Sequence, residues 1–276
     1  MWQVVLSLLT DSTKLKALLD PSHVFGVHYS TSSISEAQHM DQSTTAKSFE
    51  YQVRPVKANF GEQEADAVRR VVNDMAGKGW ETVEACGDEI RMPSLIFVKT
   101  ENISAADYLV EVVPHIKGHG EVDDIRDELW LRHDEGWRVL TVLDSPLSPP
   151  VAVYKKDPTL AASDSMKVLI IPISIMKGTS ETVKREIEEQ ELRNTCRLQT
   201  VMHSGLAPVL ILLSHTGQAK IEYLVEHAQS GFFSNHTKKL QDIINVRSKE
   251  GWAVCGAFED ESLLPCVVFC RDNPPA

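Results

Sequence analysis

The chain has 276 residues, 42% of them hydrophobic, and a formal net charge of −11. That apolar share is enough for a packed core. The acidic balance counts against nucleic acid or an anionic membrane surface as partner, since both need clustered Lys and Arg. The longest apolar runs, "VLIIPISIM" (168–176) and "PVLILLS" (208–214), are too short to span a bilayer. The first twenty residues lack the cationic start and cleavage pattern of a signal peptide. Five cysteines lie mostly in apolar runs, as reduced buried thiols would, so the expected location is cytoplasmic.

In chain order, residues 1–29 come first. "LSLLTDSTKLKALLDP" predicts an N-terminal helical segment, with Asp11 or Ser12 as cap and Pro21 as stop. Residues 30–48, "STSSISEAQHMDQSTTAKS", read as a flexible linker, which would make the segment before it a detachable arm.

From residue 49 the chain repeats itself. Trp80, Trp137 and Trp252 each stand 29 residues after a tyrosine that opens a strand-like run, namely Tyr51, Tyr108 and Tyr223. Each also stands 13 residues before a proline that opens a second apolar run, Pro93, Pro150 or Pro265. A degenerate copy fits between them, with Lys167 in the tyrosine place, Cys196 in the tryptophan place and Pro208 following. The predicted repeats are 49–100, 107–157, 166–216 and 221–272. Internal repetition is the strongest signal in the chain.

Each copy reads β-α-β-β. The opening run alternates, as in Tyr108, Val110 and Val112, and a helix-period segment follows. In the second copy Val122, Ile125, Leu129 and the stem of Arg132 share one helix face; in the fourth, Leu240, Ile243, Ile244 and Arg247 do, with Asn235 available as cap. Gly79, Gly136 and Gly251 stand where a helix must stop and turn into a strand, a left-handed position that glycine adopts without a Cβ clash. The tryptophan after each is expected to plug the seam between helix and sheet, a folding device rather than a ligand platform.

Three strands per copy allow a split unit in which the third strand lies between the first two, antiparallel to both. The third strands are apolar on both faces: Leu95 and Phe97 alternate with Ile96 and Val98. A helix covers one face, so a neighbouring repeat must cover the other. The expected fold is α+β, four tandem βαββ repeats with mainly antiparallel three-stranded sheets and one helix each. Short linkers allow packing as pseudo-twofold pairs or one four-unit body, with the very apolar third copy most central.

The landmarks "EYQV", "GKGWETV" and "LIFVK" of the first copy resemble a small family catalogued as domain of unknown function 4177. The second and fourth copies match it moderately and the third poorly. The resemblance implies a small α+β unit and carries no catalytic residues; a tandem of four departs from the usual single domain.

Candidate chemistry is sparse. His115 and His119 in "PHIKGHGEVDD", with Asp123 and Asp124 nearby, have a metal-like spacing, but Pro114, Gly118 and Gly120 mark a loop. Cys255 and Cys266 are expected to face each other across the last hairpin, with Cys270 on the same side as Cys266, as buried thiols. The carboxylates of "REIEEQE" (185–191) read as a solvated helix face. No nucleophile elbow, phosphate loop or dinucleotide fingerprint is present. The expectation is therefore a non-enzymatic protein-binding or scaffolding protein without cofactor, working through protein partners or self-association. The alternative is a small-molecule or metal-binding sensor or enzyme with a pocket between paired repeats.

Overall fold

The glycines at 79, 136 and 251 take φ of 77°, 80° and 84°, so each helix ends in the left-handed turn its sequence anticipates. The computed structural model describes residues 49–272 apart from 88–92, 101–102, 114–120, 146–147, 159–165, 171–177, 195, 205–206, 215–220, 229–235 and 261–263. The predicted N-terminal segment (1–29), the linker (30–48) and the Asn235 cap lie outside the described residues.

Four units follow one another, each a strand, a helix and two strands. The first is β1 (Tyr51–Pro55), α1 (Glu64–Ala76), β2 (Trp80–Cys86) and β3 (Ser94–Lys99). The second is β4 (Tyr108–Val112), α2 (Glu121–Asp134), β5 (Trp137–Ser145) and β6 (Ser148–Lys156). The third is β7 (Met166–Ile170), α3 (Thr179–Asn194), β8 (Cys196–Ser204) and β9 (Ala207–Ser214). The fourth is β10 (Ile221–His227), α4 (His236–Lys249), β11 (Ala253–Glu259) and β12 (Pro265–Asp272). In every sheet the third strand of the unit lies between the first two and runs antiparallel to both. The α+β split unit holds four times over.

Helical periodicity placed the core faces. Ile125 and Leu129 of α2 and Leu240 and Ile244 of α4 are buried. Arg132 and Arg247, at the ends of the same stripes, reach Glu111 and Glu226 on their own first strands at 2.8 and 2.5 Å. Each tryptophan lies under a cation from its cross-strand neighbour: Lys99 over Trp80 and Lys156 over Trp137 at 4.8 Å, Arg271 over Trp252 at 4.2 Å. Lys99 and Lys156 also donate to Lys78 O and Glu135 O at the helix ends. Ring, cation and glycine together form one corner that turns helix into strand.

The two apolar faces of each third strand serve different neighbours. Leu95 and Phe97 of β3 share a core with Val151 and Val153 of β6, while Ile96 shares one with Val267 and Phe269 of β12. Ala152 and Tyr154 of β6 join Val209 and Ile211 of β9, whose Leu210 and Leu212 join Cys266 and Val268 of β12. Units one and two, two and three, three and four, and four and one are thus each paired through a common core. Every unit belongs to two pairs and the set closes on itself. The third copy therefore has no more central a place than the others, because a cycle gives all four the same number of neighbours.

The helices reach across these boundaries. Arg69 of α1 donates to Val110 O of β4 at 2.8 Å. Glu191 of α3 accepts from Ile221 N of β10 at 3.0 Å. Gln241 of α4 accepts from Val53 N and donates to Tyr51 O of β1, at 2.7 and 2.9 Å. Backbone groups on the outer edges of β1, β4 and β10 are therefore already engaged. Glu191 belongs to the stretch read as a solvated face, and this one carboxylate serves the next unit instead.

Candidate functional site

The second strands, β2, β5, β8 and β11, meet around one axis, each packed beside the next and β11 beside β2. All four slip register at the same place: between Thr82 and Glu84, Val139 and Thr141, Leu198 and Thr200, and Val254 and Gly256. The unpaired bulge residues are Val83, Leu140, Gln199 and Cys255. A bulge bends its strand and re-aims the adjoining side chains; repeated four times about an axis, it turns them toward a common point.

Tyrosines lock this arrangement. Tyr108 OH accepts from Thr82 N at 3.3 Å and Tyr51 OH accepts from Val254 N at 3.0 Å. The Tyr223 hydroxyl accepts from Leu198 N in the same way. In each case the tyrosine of one unit holds the backbone two residues past the tryptophan position of the unit before it, and Tyr51 closes the cycle from first unit to last. The second strands are sheet edges, so these N–H groups have no ladder partner and would be costly to bury alone. The third unit carries Lys167 in the tyrosine place, and its Nζ donates to Gln190 Oε1 at 2.5 Å.

One layer past the bulges, the four corresponding positions are Glu84, Thr141, Thr200 and Gly256. Glu84 is fully buried. Its carboxyl accepts from Thr141 Oγ1 at 2.5 Å, from Thr200 Oγ1 at 2.8 Å and from Ala85 N at 2.9 Å, with Val201 N a further donor. Burial pushes its pKa up to about 8, and the hydrogen bonds offset only part of that rise. The acid is thus mostly neutral at neutral pH. Gly256 leaves the fourth place without a side chain; a Cβ there would lie 2.9 Å from Val201 Cγ2.

On the other side of the bulge layer lies a cavity of about 380 Å³, lined by residues from all four units. Val83, Leu140, Leu198 and Val254 give it apolar walls, with Thr82, Gln199 and Cys255 between them. Its rim carries Arg138, Lys155 and Lys156 against Glu81 and Asp157. Lys155 pairs with Glu81 at 2.7 Å and Arg138 pairs with Asp157. Thr82 Oγ1 and Arg138 Nε are buried and find no hydrogen-bond partner among the described residues. Burial raises the Cys255 thiol well above the usual range, so it stays protonated.

Sequence and site correspond unevenly. His115 and His119 lie outside the described residues. The Gly-Trp corners do not line the axial cavity. The expected facing of Cys255 and Cys266 is corrected: the bulge at Cys255 shifts the register, Cys266 pairs with Phe258, and Cys255 comes beside Cys270, its Sγ donating to Val268 O at 3.5 Å. Glu84, Thr141 and Thr200 went unread. Their signal was present, as a polar residue four places after Trp80, Trp137 and Cys196, with glycine in the corresponding place after Trp252.

No protein-family model matches the chain, nor does any curated protein or solved structure. Among the described residues no helix is long and apolar enough to cross a membrane.

Proposed function

We propose that the axial cavity is a binding site for a small molecule with an apolar body and an anionic, hydrogen-bond-accepting head, and that the protein acts as a non-catalytic binder or sensor. The observation that carries this reading is a cavity built by all four units and lined by Thr82, whose hydroxyl finds no partner among the described residues. A buried polar atom without a partner is rare and costs about 1–3 kcal/mol, which a bound acceptor would recover. Arg138 and Lys155, whose partners Asp157 and Glu81 line the same cavity, supply cations for an anionic head, and the volume falls in the ordinary range for ligand pockets. A cytoplasmic setting belongs to the same proposal and is supported by five free cysteines.

The test is a thermal-shift and ligand-observed NMR screen of small carboxylates and related metabolites. It compares the wild type with Leu140→Trp, which fills the cavity. Ligands that raise the melting temperature of the wild type should lose their effect in a folded Leu140→Trp protein. No wild-type ligand, or shifts of equal size in both proteins, would overturn the reading.

Protein contact is the second reading, supported by exposed apolar residues on the helices, Leu131 of α2, Leu192 of α3 and Val246 of α4. Strand addition is disfavoured as its mode, because helix side chains already bond the outer edges of β1, β4 and β10. A pull-down with Leu131, Leu192 and Val246 all changed to Ser, with and without residues 1–48, separates the two. A partner retained by wild type and lost by the triple variant supports contact through the helices.

A further inference from the structure

Residues that recur in every unit have a folding role; those found at a single boundary ask for another explanation. His227 stands four places after Tyr223, where the first two units have Pro55 and Val112. Cys266 occupies a place held by Ser94, Val151 and Val209 in the other third strands. The two are cross-strand partners at one end of the last sheet. Asp260, which closes the hairpin between β11 and β12, comes beside them.

His227 Nδ1 lies 3.0 Å from Asp260 Oδ2 and 3.3 Å from Cys266 Sγ. The three donor atoms all fall within 4.8 Å of one another, a separation that one tetrahedral ion can bridge. We propose that His227, Asp260 and Cys266 form a Zn²⁺ site with its fourth position open to water.

The donor set of one imidazole, one carboxylate and one thiolate suits a borderline-soft cation and counts against Mg²⁺ or Ca²⁺, which take oxygen ligands. The surroundings orient two of the three donors as a metal site requires. Ser180, in the first turn of α3, lies 3.0 Å from His227 Nε2, fixing the ring with Nδ1 toward the cluster. Leu264 N donates to Asp260 Oδ1 at 2.9 Å, holding the carboxylate with Oδ2 toward His227. Asp260 and Cys266 are buried, whereas the His227 side chain is 38% exposed. An ion can therefore arrive past the histidine, with room for water on that side. Because Ser180 comes from the third unit and the three ligands from the fourth, metal binding would pin that boundary.

This proposal is independent of the axial cavity. The test adds Co²⁺ to the metal-stripped full chain and reads the near-ultraviolet charge-transfer band that a thiolate–cobalt bond alone produces. One equivalent should give that band together with tetrahedral visible absorption, and Zn²⁺ should abolish both. Cys266→Ser should lose the band, His227→Gln and Asp260→Asn should bind at least tenfold more weakly, and Ser180→Ala about tenfold more weakly. If Cys266→Ser does not fold, His227→Gln, at the exposed ligand, carries the test. Absence of the band in the wild type overturns the proposal. So does a band that survives His227→Gln undiminished, or one removed by Cys255→Ser, Cys270→Ser or His115→Ala.

Discussion

Thr200 Oγ1 of the third unit donates to Glu84 Oε2 of the first at 2.8 Å, across 116 residues of chain. Thr141 of the second unit donates to the same carboxyl, so one buried acid draws three of the four units together. Its raised pKa has a defined consequence. Below the unfolded value of 4.5 the carboxyl is neutral in both states and its contribution to stability is fully present. Between 4.5 and about 8 the unfolded chain ionises and the folded one does not, so that contribution falls by about 1.4 kcal/mol per pH unit. Urea denaturation across this range should show wild type losing stability relative to Glu84→Gln as pH rises. A constant difference between the two proteins would show that Glu84 is ionised in the fold.

The fourth axial place tolerates no side chain. At Gly256 a Cβ would stand 2.9 Å from Val201 Cγ2 and 3.2 Å from both Leu198 Cδ2 and Val268 Cβ. Gly256→Ala should destabilise the protein by about 1–3 kcal/mol through overpacking. Gly79→Ala should cost a similar amount for a different reason: a φ of +77° with a Cβ 3.2 Å from Thr100 O. Denaturation midpoints measure both. Gly61→Ala, where a Cβ meets nothing within 4 Å, separates backbone strain from crowding.

The contrast between these glycines shows what the sequence could and could not disclose. Gly79 was legible because a helix-period run stops there and an alternating one begins; that is a local event. Gly256 was opaque. Its neighbours Val201 and Leu198 come from another unit, and only the pairing of the third unit with the fourth brings them near. The same holds for the site. Apolar residues on both faces of β3 demanded a neighbour, yet two pairs and a closed cycle satisfy that demand equally well. Bulges at Val83, Leu140, Gln199 and Cys255 leave the apolar pattern intact while changing where side chains point. For that reason the facing of Cys255 with Cys270 escaped the alternation rule.

That thiol pair also has a chemical signature. Burial raises Cys255, while the neighbouring Cys255 thiol lowers Cys270. At neutral pH, limited iodoacetamide treatment followed by peptide mass spectrometry should find Cys270 modified before Cys255. The reverse order would mean that Cys255, lining the cavity, carries the thiolate.

Closure of the four units about one axis is the claim on which the cavity, the acid and the proposed ligand all depend. Amide hydrogen exchange by NMR at Val254, Thr82 and Leu198 tests it most directly, because these N–H groups lie on sheet edges and are held by tyrosines of the next unit. All three should be protected like the amides of the central strands, Val254 reporting the closing contact between the fourth unit and the first, and Tyr51→Phe should release Val254 while sparing Thr82 and Leu198. Rapid exchange at Val254 in the wild type while Thr82 and Leu198 stay protected, as two separate pairs would give, would contradict it.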